Sequence, residues 1–289
     1  MSVTKAKLIA YAELMKPRIL LLVLVTTYIG YFLGSRDAND AVRLVLTLLG
    51  TSLLCGGAGV LNNYLERDVD CLMKRTQRRP LPRGIVEPAD VLGFGLLLVL
   101  FGVIVLSYGV NLLSGFLGLL TVFLYVLVYT PLKRITWLNT LVGAIPGALP
   151  PMGGWAAGSG QLEIGAWILF AILFIWQHPH FYAIAWMYKD DYARGGLKML
   201  PVIDPTGKRT FRQIVIFSLL LIPVSLTPVA LGASGNIYLI GATASGLLFL
   251  VVGTSVAISK KVEDARKLLR ASVIYLPVLF TLLAADCRF

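Results

Sequence analysis

The sequence predicts an all-α, polytopic membrane protein with nine transmembrane helices around a central cavity. Its mean hydropathy is +0.79, with 57% hydrophobic and only 14% charged residues. The apolar residues fall into runs of about 20, the length that crosses a bilayer core. The bases are distributed as topology demands. With the N-terminus on the cytoplasmic side, every one of the 26 Lys and Arg except Arg36, Arg43 and Arg288 falls inside, as the positive-inside rule requires. The formal charge of +11 is therefore a signal of orientation. The expected partner is the lipid bilayer, and no nucleic acid is expected.

In chain order the apolar segments cover 19–35, 42–65, 91–110, 112–130, 139–158, 163–187, 213–233, 236–258 and 269–286. An odd count puts the C-terminus outside. The first segment lacks the short apolar core and small-residue cleavage site of a signal peptide, and no helix-free stretch is long enough for a second domain, so residues 1–289 read as one integral domain. The fifth segment carries "GAIPGALPPMGGW", residues 143–155. Its prolines are expected to break the helix near mid-membrane, and irregular backbone at that depth lines a cavity. Cys55, Cys71 and Cys287 show no metal spacing and are odd in number, which argues against a zinc site or a disulfide framework.

The acids concentrate in two inward loops, roughly 66–90 and 188–212, so chemistry is expected on the cytoplasmic face. In "NNYLERDVDCLMKRTQRRPLP", Asn62, Glu66 and Asp70 are spaced i, i+4, i+8 and share one helical face. Two carboxylates and an amide suit Mg²⁺, which leaves coordination positions for phosphate oxygens and water. Arg67, Lys74, Arg75, Arg78, Arg79 and Arg83 follow at once. Acids beside bases fit a metal-bridged diphosphate whose remaining charge is met by guanidinium groups. Asp68 points off the stripe and is expected to pair with a neighbouring base. In "YTPLKR", Lys133 and Arg134 are candidates for phosphate contact or for anchoring the helix end.

The second cluster is "WQHPHFYAIAWMYKDDYARGGLKMLP". It holds the only two histidines, His178 and His180. On a continuous helix His178, Tyr182, Trp186 and Asp190 form one i+4 row, with His180, Ile184 and Asp191 beside it. The imidazoles would then lie about 18 Å deeper than the aspartates. Pro179 between them is a candidate bend.

These two stretches resemble the UbiA superfamily of membrane prenyltransferases. "NNYLERDVDCLMKRTQRRPLPRG" is similar to its N-x-x-x-D-x-x-x-D signature, and "WQHPHFYAIAW…DDYARGGLKMLPV" is similar to its heme-modifying branch. The resemblance covers nearly the whole chain. It implies transfer of a farnesyl group from farnesyl diphosphate to a vinyl group of heme B, giving heme O, with Mg²⁺ holding the diphosphate. It further implies the bacterial cytoplasmic (inner) membrane as location, and heme A synthase or terminal oxidase assembly as downstream partners. By position, Asn62, Glu66 and Asp70 take the first motif as metal ligands, and Asp190 with Asp191 stand within the second. Tyr188, Tyr192 and Lys198 join His178 and His180 as substrate contacts. Glu66 replaces the commoner Asp, and Tyr188 and Tyr192 occupy the ends of the second motif where quinone-pathway relatives carry D-x-x-x-D. Two rivals remain. One is a relative with an aromatic quinone-precursor acceptor. The other is an organic-anion transporter, which would usually show paired broken helices in both halves.

Overall fold

The computed structural model describes residues 3–35 and 40–286. Cys287, Arg36 and Arg288 lie outside them. The first described helix is α1 (Val3–Leu14), followed two residues on by Lys16, a non-glycine residue at φ 55°. That left-handed turn redirects the backbone, and Pro17 then starts α2 (Pro17–Gly34) with its φ already helical. Next come α3 (Ala41–Leu65), a single turn α4 (Arg67–Asp70), α5 (Pro88–Gly109) and α6 (Leu112–Phe123). A π-helical stretch, Leu124–Tyr129, joins α6 to α7 (Thr130–Ile135), so that the three form one rod. The remaining elements are α8 (Asn139–Ser159), α9 (Ile164–Met187), short α10 (Lys189–Arg194) and α11 (Leu200–Ile203), α12 (Lys208–Ser225) with α13 (Thr227–Ala230), α14 (Asn236–Ser259) and α15 (Val262–Ala285).

Among the described residues, eight helices are long and apolar enough to cross a membrane. The other long helix is α8, with 21 residues, so each expected segment corresponds to a helix. The expected break in the fifth is corrected: α8 runs unbroken through Pro146, Pro150 and Pro151. Packing accounts for its survival. Glycines on both helices let it press backbone to backbone against α2, where a Cβ on Gly30 of α2 would sit 1.9 Å from the carbonyl oxygen of Pro151 and one on Gly154 of α8 2.0 Å from that of Thr27. Lipid gives no hydrophobic drive to helix pairing, so such close contact between small residues supplies the attraction instead. Gln177 of α9 also donates to the Ala144 carbonyl of α8, at 3.2 Å.

The helices form two groups joined where α8 packs on α9. In the first, α2 packs on α8 and α3, α3 on α5, α5 on α6, and α6 on α8; in the second, α9 packs on α12 and α15, α12 on α14, and α14 on α15. Within its most apolar window α9 is 56% buried, whereas α5 is 22% buried. The first is thus an inner helix and the second a lipid-facing one. Leu100, Leu248 and Ile258 are among the large apolar side chains left facing outward, as a bilayer surface requires.

Candidate active site

The sequence stripe survives folding because its backbone register does. Glu66 closes α3 with a local turn (φ −97°, ψ 4°), yet Glu66 N–H donates to Asn62 O at 3.0 Å and Asp70 N–H to Glu66 O at 2.8 Å. The i+4 spacing therefore persists through the turn. Asn62, Glu66 and Asp70 are all buried, at 1%, 6% and 1% exposure, and they share a polar cavity of about 140 Å³. Its other walls are Lys16, Arg75, Arg79, Lys133, Tyr125, Tyr129 and Tyr192, with Met73, Leu197 and Met199. Residues far apart in sequence meet at one end of the bundle, where the two long acidic loops lie.

The electrostatics of this cavity follow from its pairs. Lys133 Nζ lies 2.5 Å from Glu66 Oε1, and Arg79 Nη1 lies 2.6 Å from Asp70 Oδ2. Desolvation works against the Glu66 carboxylate, but Lys133, reinforced by Lys16 and Arg79, outweighs it and holds that carboxyl below its ordinary pKa. For Asp70 desolvation prevails over Arg79, and its pKa is raised. Lys16 Nζ donates to Asn62 Oδ1. Its pKa is pushed down to about 7, by desolvation first and then by the positive charge of Arg79.

The rod α6–α7 sets the opposite wall. The wider π turn leaves room for Thr130 Oγ1 to donate to Tyr125 O at 2.8 Å, and Asn62 Nδ2 donates to the same Thr130 oxygen at 2.9 Å. This fixes which end of the Asn62 amide faces the cavity. The Tyr125 and Tyr129 rings stand 5.6 Å apart, and Lys133 Nζ lies 4.7 Å from the Tyr129 ring centre. π turns of this kind recur at functional sites.

Among the described residues no three His, Cys, Asp or Glu side chains gather into a self-sufficient metal cage. Two carboxylates and an amide are instead the donor set that Mg²⁺ completes with substrate phosphate and water. Asp70 Oδ1 is buried with no hydrogen-bond partner, as an oxygen held for such an ion would be. The residues therefore fit a divalent cation.

Other expected site residues are placed elsewhere. Asp190 and Asp191 are not among the residues that line the cavity. α9 closes at Tyr188 (φ −116°, ψ 22°), and i+4 bonds run through that closure as they do at Glu66, with Tyr188 N–H donating to Ile184 O at 3.1 Å and Tyr192 N–H to Tyr188 O at 3.0 Å. Asp190 is exposed. Asp191 accepts from the backbone N–H of Lys74 at 3.1 Å and of Arg75 at 3.2 Å, and pairs with Arg194. Desolvation opposes its ionisation, but these donors together hold its carboxyl below the ordinary value. It fastens the first acidic loop to the second.

Lys74, Arg78 and Lys198 are exposed and line no part of the cavity, and Arg67 donates back to Tyr64 O at 2.7 Å. Arg134 forks onto both oxygens of Asp68, at 2.8 and 2.7 Å, the off-stripe pairing expected for Asp68. Tyr188 lies beneath Arg75, whose guanidinium carbon is 5.3 Å from the ring centre. The imidazoles face the second helix group. His178 is fully buried, its Nδ1 is 2.7 Å from Phe174 O, and its ring stacks on Phe217 of α12 with centres 3.7 Å apart. His180 is half-buried, with Nδ1 2.7 Å from Ser272 Oγ of α15 and its ring stacked on Trp176. Lys16 and Tyr125 went unread in the sequence. The signals present were a lysine directly before a helix-starting proline, and a tyrosine one turn ahead of Tyr129 on an aliphatic helix.

A helical membrane bundle with this acid, amide and base pocket at one end defines the class of membrane prenyltransferases. The model of the UbiA prenyltransferase family matches residues 23–276, and the chain belongs to that family. Within it, the chain is 50% identical over 285 residues to a protoheme IX farnesyltransferase of Solibacter usitatus, covering 96% of this chain and 98% of that one. It is 47% identical to one of Salinibacter ruber, with coverage of 96% and 98%. Among solved structures, a digeranylgeranylglyceryl phosphate synthase superposes with a TM-score of 0.81 at 18% identity, covering 97% of this chain and 98% of that one. A UbiA homologue from Archaeoglobus fulgidus bound to GPP and Mg²⁺ superposes with a TM-score of 0.72 at 16% identity, with coverage of 95% and 99%. At those identities the likeness is one of fold.

Proposed function

We propose that this membrane enzyme joins the farnesyl group of farnesyl diphosphate to a vinyl group of heme B, with addition of water, to give heme O and diphosphate. The observation that carries the prenyl-transfer reading is the convergence of Asn62, Glu66 and Asp70 with Lys16, Arg75, Arg79 and Lys133 in one buried pocket. The choice of heme as acceptor rests on near-full-length identity to protoheme IX farnesyltransferases.

Glu66 and Asp70, with Asn62 Oδ1, would hold Mg²⁺, which when bound neutralises the diphosphate oxygens and makes them a better leaving group. The four basic side chains bind and orient the remaining phosphate oxygens. As the allylic C1–O bond breaks, its electron pair leaves with the diphosphate, where the basic groups stabilise the charge. Tyr125, Tyr129 and Tyr192 present ring faces to the allylic cation, and Met73, Leu197 and Met199 keep that wall dry. The terminal vinyl carbon of heme then bonds to C1, and a water oxygen adds to the inner vinyl carbon with loss of a proton. Orientation with this end of the bundle in the cytoplasm, in a bacterial inner membrane, follows from the basic loops. Supply of product to heme A synthase or a terminal oxidase belongs to the same reading.

The test is incubation of the purified protein with heme B, farnesyl diphosphate and Mg²⁺. A product heavier than heme B by one farnesyl and one hydroxyl group is expected. Transfer to an aromatic quinone precursor with none to heme would overturn the acceptor.

A further inference from the structure

Each of the three side chains assigned to the ion carries its own basic partner. Lys16 donates to Asn62 Oδ1, Lys133 pairs with Glu66 and Arg79 pairs with Asp70. The match is one to one. The fourth cation of the pocket, Arg75, lies instead over the rings of Tyr188 and Tyr192. The groups expected to grip the diphosphate are therefore the same groups that neutralise the metal ligands.

This sharing sets the order in which charge can be satisfied. A divalent ion arriving alone meets two carboxylates already paired and three cations within contact range, so it must displace positive charge that has nowhere to go. A diphosphate arriving alone would draw Lys133 and Arg79 away and strand two buried carboxylates, which is costly. When both arrive together, the cations move to phosphate oxygens while the ion takes the released ligands, and every charge keeps a partner.

Resting on the assignment of this pocket to a prenyl diphosphate, we infer that Lys16, Arg79 and Lys133 are exchangeable counter-ions that make the divalent ion and the diphosphate bind as a coupled pair. Reciprocity then requires each ligand to raise the affinity of the other by one common factor.

The experiment uses the full-length protein in detergent, Mn²⁺ read by electron paramagnetic resonance, and unreactive farnesyl thiodiphosphate. In the wild type, saturating analogue is expected to tighten Mn²⁺ at least about tenfold, and saturating Mn²⁺ to tighten the analogue equally. Lys133→Met is expected to move the two separate affinities in opposite directions, with Mn²⁺ alone bound more tightly and the analogue alone more weakly. Lys16→Met leaves no buried carboxylate unpaired, so it is the second variant should Lys133→Met fail to fold; the same opposed signs at smaller amplitude are expected. Mn²⁺ affinity indifferent to the analogue, or both affinities weakened in both variants, would overturn the exchange and leave prenyl transfer standing. An analogue that does not bind the folded wild type at all would overturn the pocket assignment, and the exchange with it.

Discussion

The ammonium of Lys16 donates to the Asn62 side-chain oxygen, so the turn that leads into the first membrane helix closes on the first residue of the metal-ligand stripe. The left-handed backbone at Lys16 aims the side chain inward, away from the interface where a flanking lysine would ordinarily extend. Lys16→Met keeps the length and removes the charge. A charge-assisted hydrogen bond to substrate contributes about 1.5–3 kcal/mol, so KM for farnesyl diphosphate should rise about 10- to 100-fold. An unchanged KM would return Lys16 to the role of a topological anchor.

Asp70→Asn should abolish turnover while leaving the fold intact. The substitution preserves shape, and the bond from Thr76 Oγ1 goes to the Asp70 backbone oxygen, at 3.1 Å, so it survives. What is lost is the negative charge required by the ion, several kcal/mol of transition-state stabilisation, or roughly a thousandfold in rate. Single-turnover rates on protein of verified melting temperature provide the measurement. Activity within about tenfold of wild type would remove Asp70 from the metal site.

How much of this was legible depended on whether a role rests on the local period of the backbone or on a contact distant in sequence. Asn62, Glu66 and Asp70 were readable because i+4 hydrogen bonds run through the turn at Glu66. In the second cluster i+4 bonds likewise run through Tyr188, but the grip of Asp191 on the Lys74 and Arg75 N–H groups joins segments more than 100 residues apart, beyond the reach of any helical period. In α8 three prolines suggested a break, but Gly154 and Gly158 beyond them, with Gly30 of α2, let the two helices pack backbone to backbone. Lys16 was invisible as a site residue because its role rests on a contact 46 positions away, which no periodicity encodes.

Asp191 should behave as a fastener rather than a metal ligand. Asp191→Ala releases the N–H groups of Lys74 and Arg75, and leaving such donors unmet costs about 1–3 kcal/mol. Faster proteolysis between residues 74 and 83 is expected, with Mn²⁺ binding in the presence of a diphosphate analogue retained. Its folded pKa is depressed. The contribution of the carboxylate is therefore complete above its ordinary value near 4 and is lost as pH falls through the lower folded one. Wild type and Asp191→Ala should accordingly converge in loop protection only at strongly acid pH. Convergence at neutral pH would contradict the role.

Cys71 tests the orientation. It is exposed within the first acidic loop, whereas Cys55 is partly shielded within α3. An impermeant maleimide added to intact cells should leave Cys71 unlabelled, and the same reagent should label it once the membrane is opened. Labelling in intact cells would invert the proposed topology and move the pocket to the outer face.

The two histidines should separate, because the structure gives them unlike surroundings. His178 is fully enclosed, and its free Nε2 is buried behind the stack with Phe217; a porphyrin cannot reach it without parting α9 from α12. His180 keeps part of its surface open, with Nδ1 at Ser272, so it is the imidazole available to an acceptor in the bilayer. Neutral imidazole is a ready iron ligand. His180→Ala is therefore expected to change the Soret band on heme titration and weaken heme binding. His178→Phe, which preserves the stack, should leave the titration unchanged. Since neither residue lines the diphosphate pocket, both variants should bind farnesyl thiodiphosphate as the wild type does. A heme titration altered in His178→Phe and normal in His180→Ala would reverse the assignment. Normal titrations in both would mean that the acceptor is held by other groups and that the imidazoles serve only to join α9 to α12 and α15.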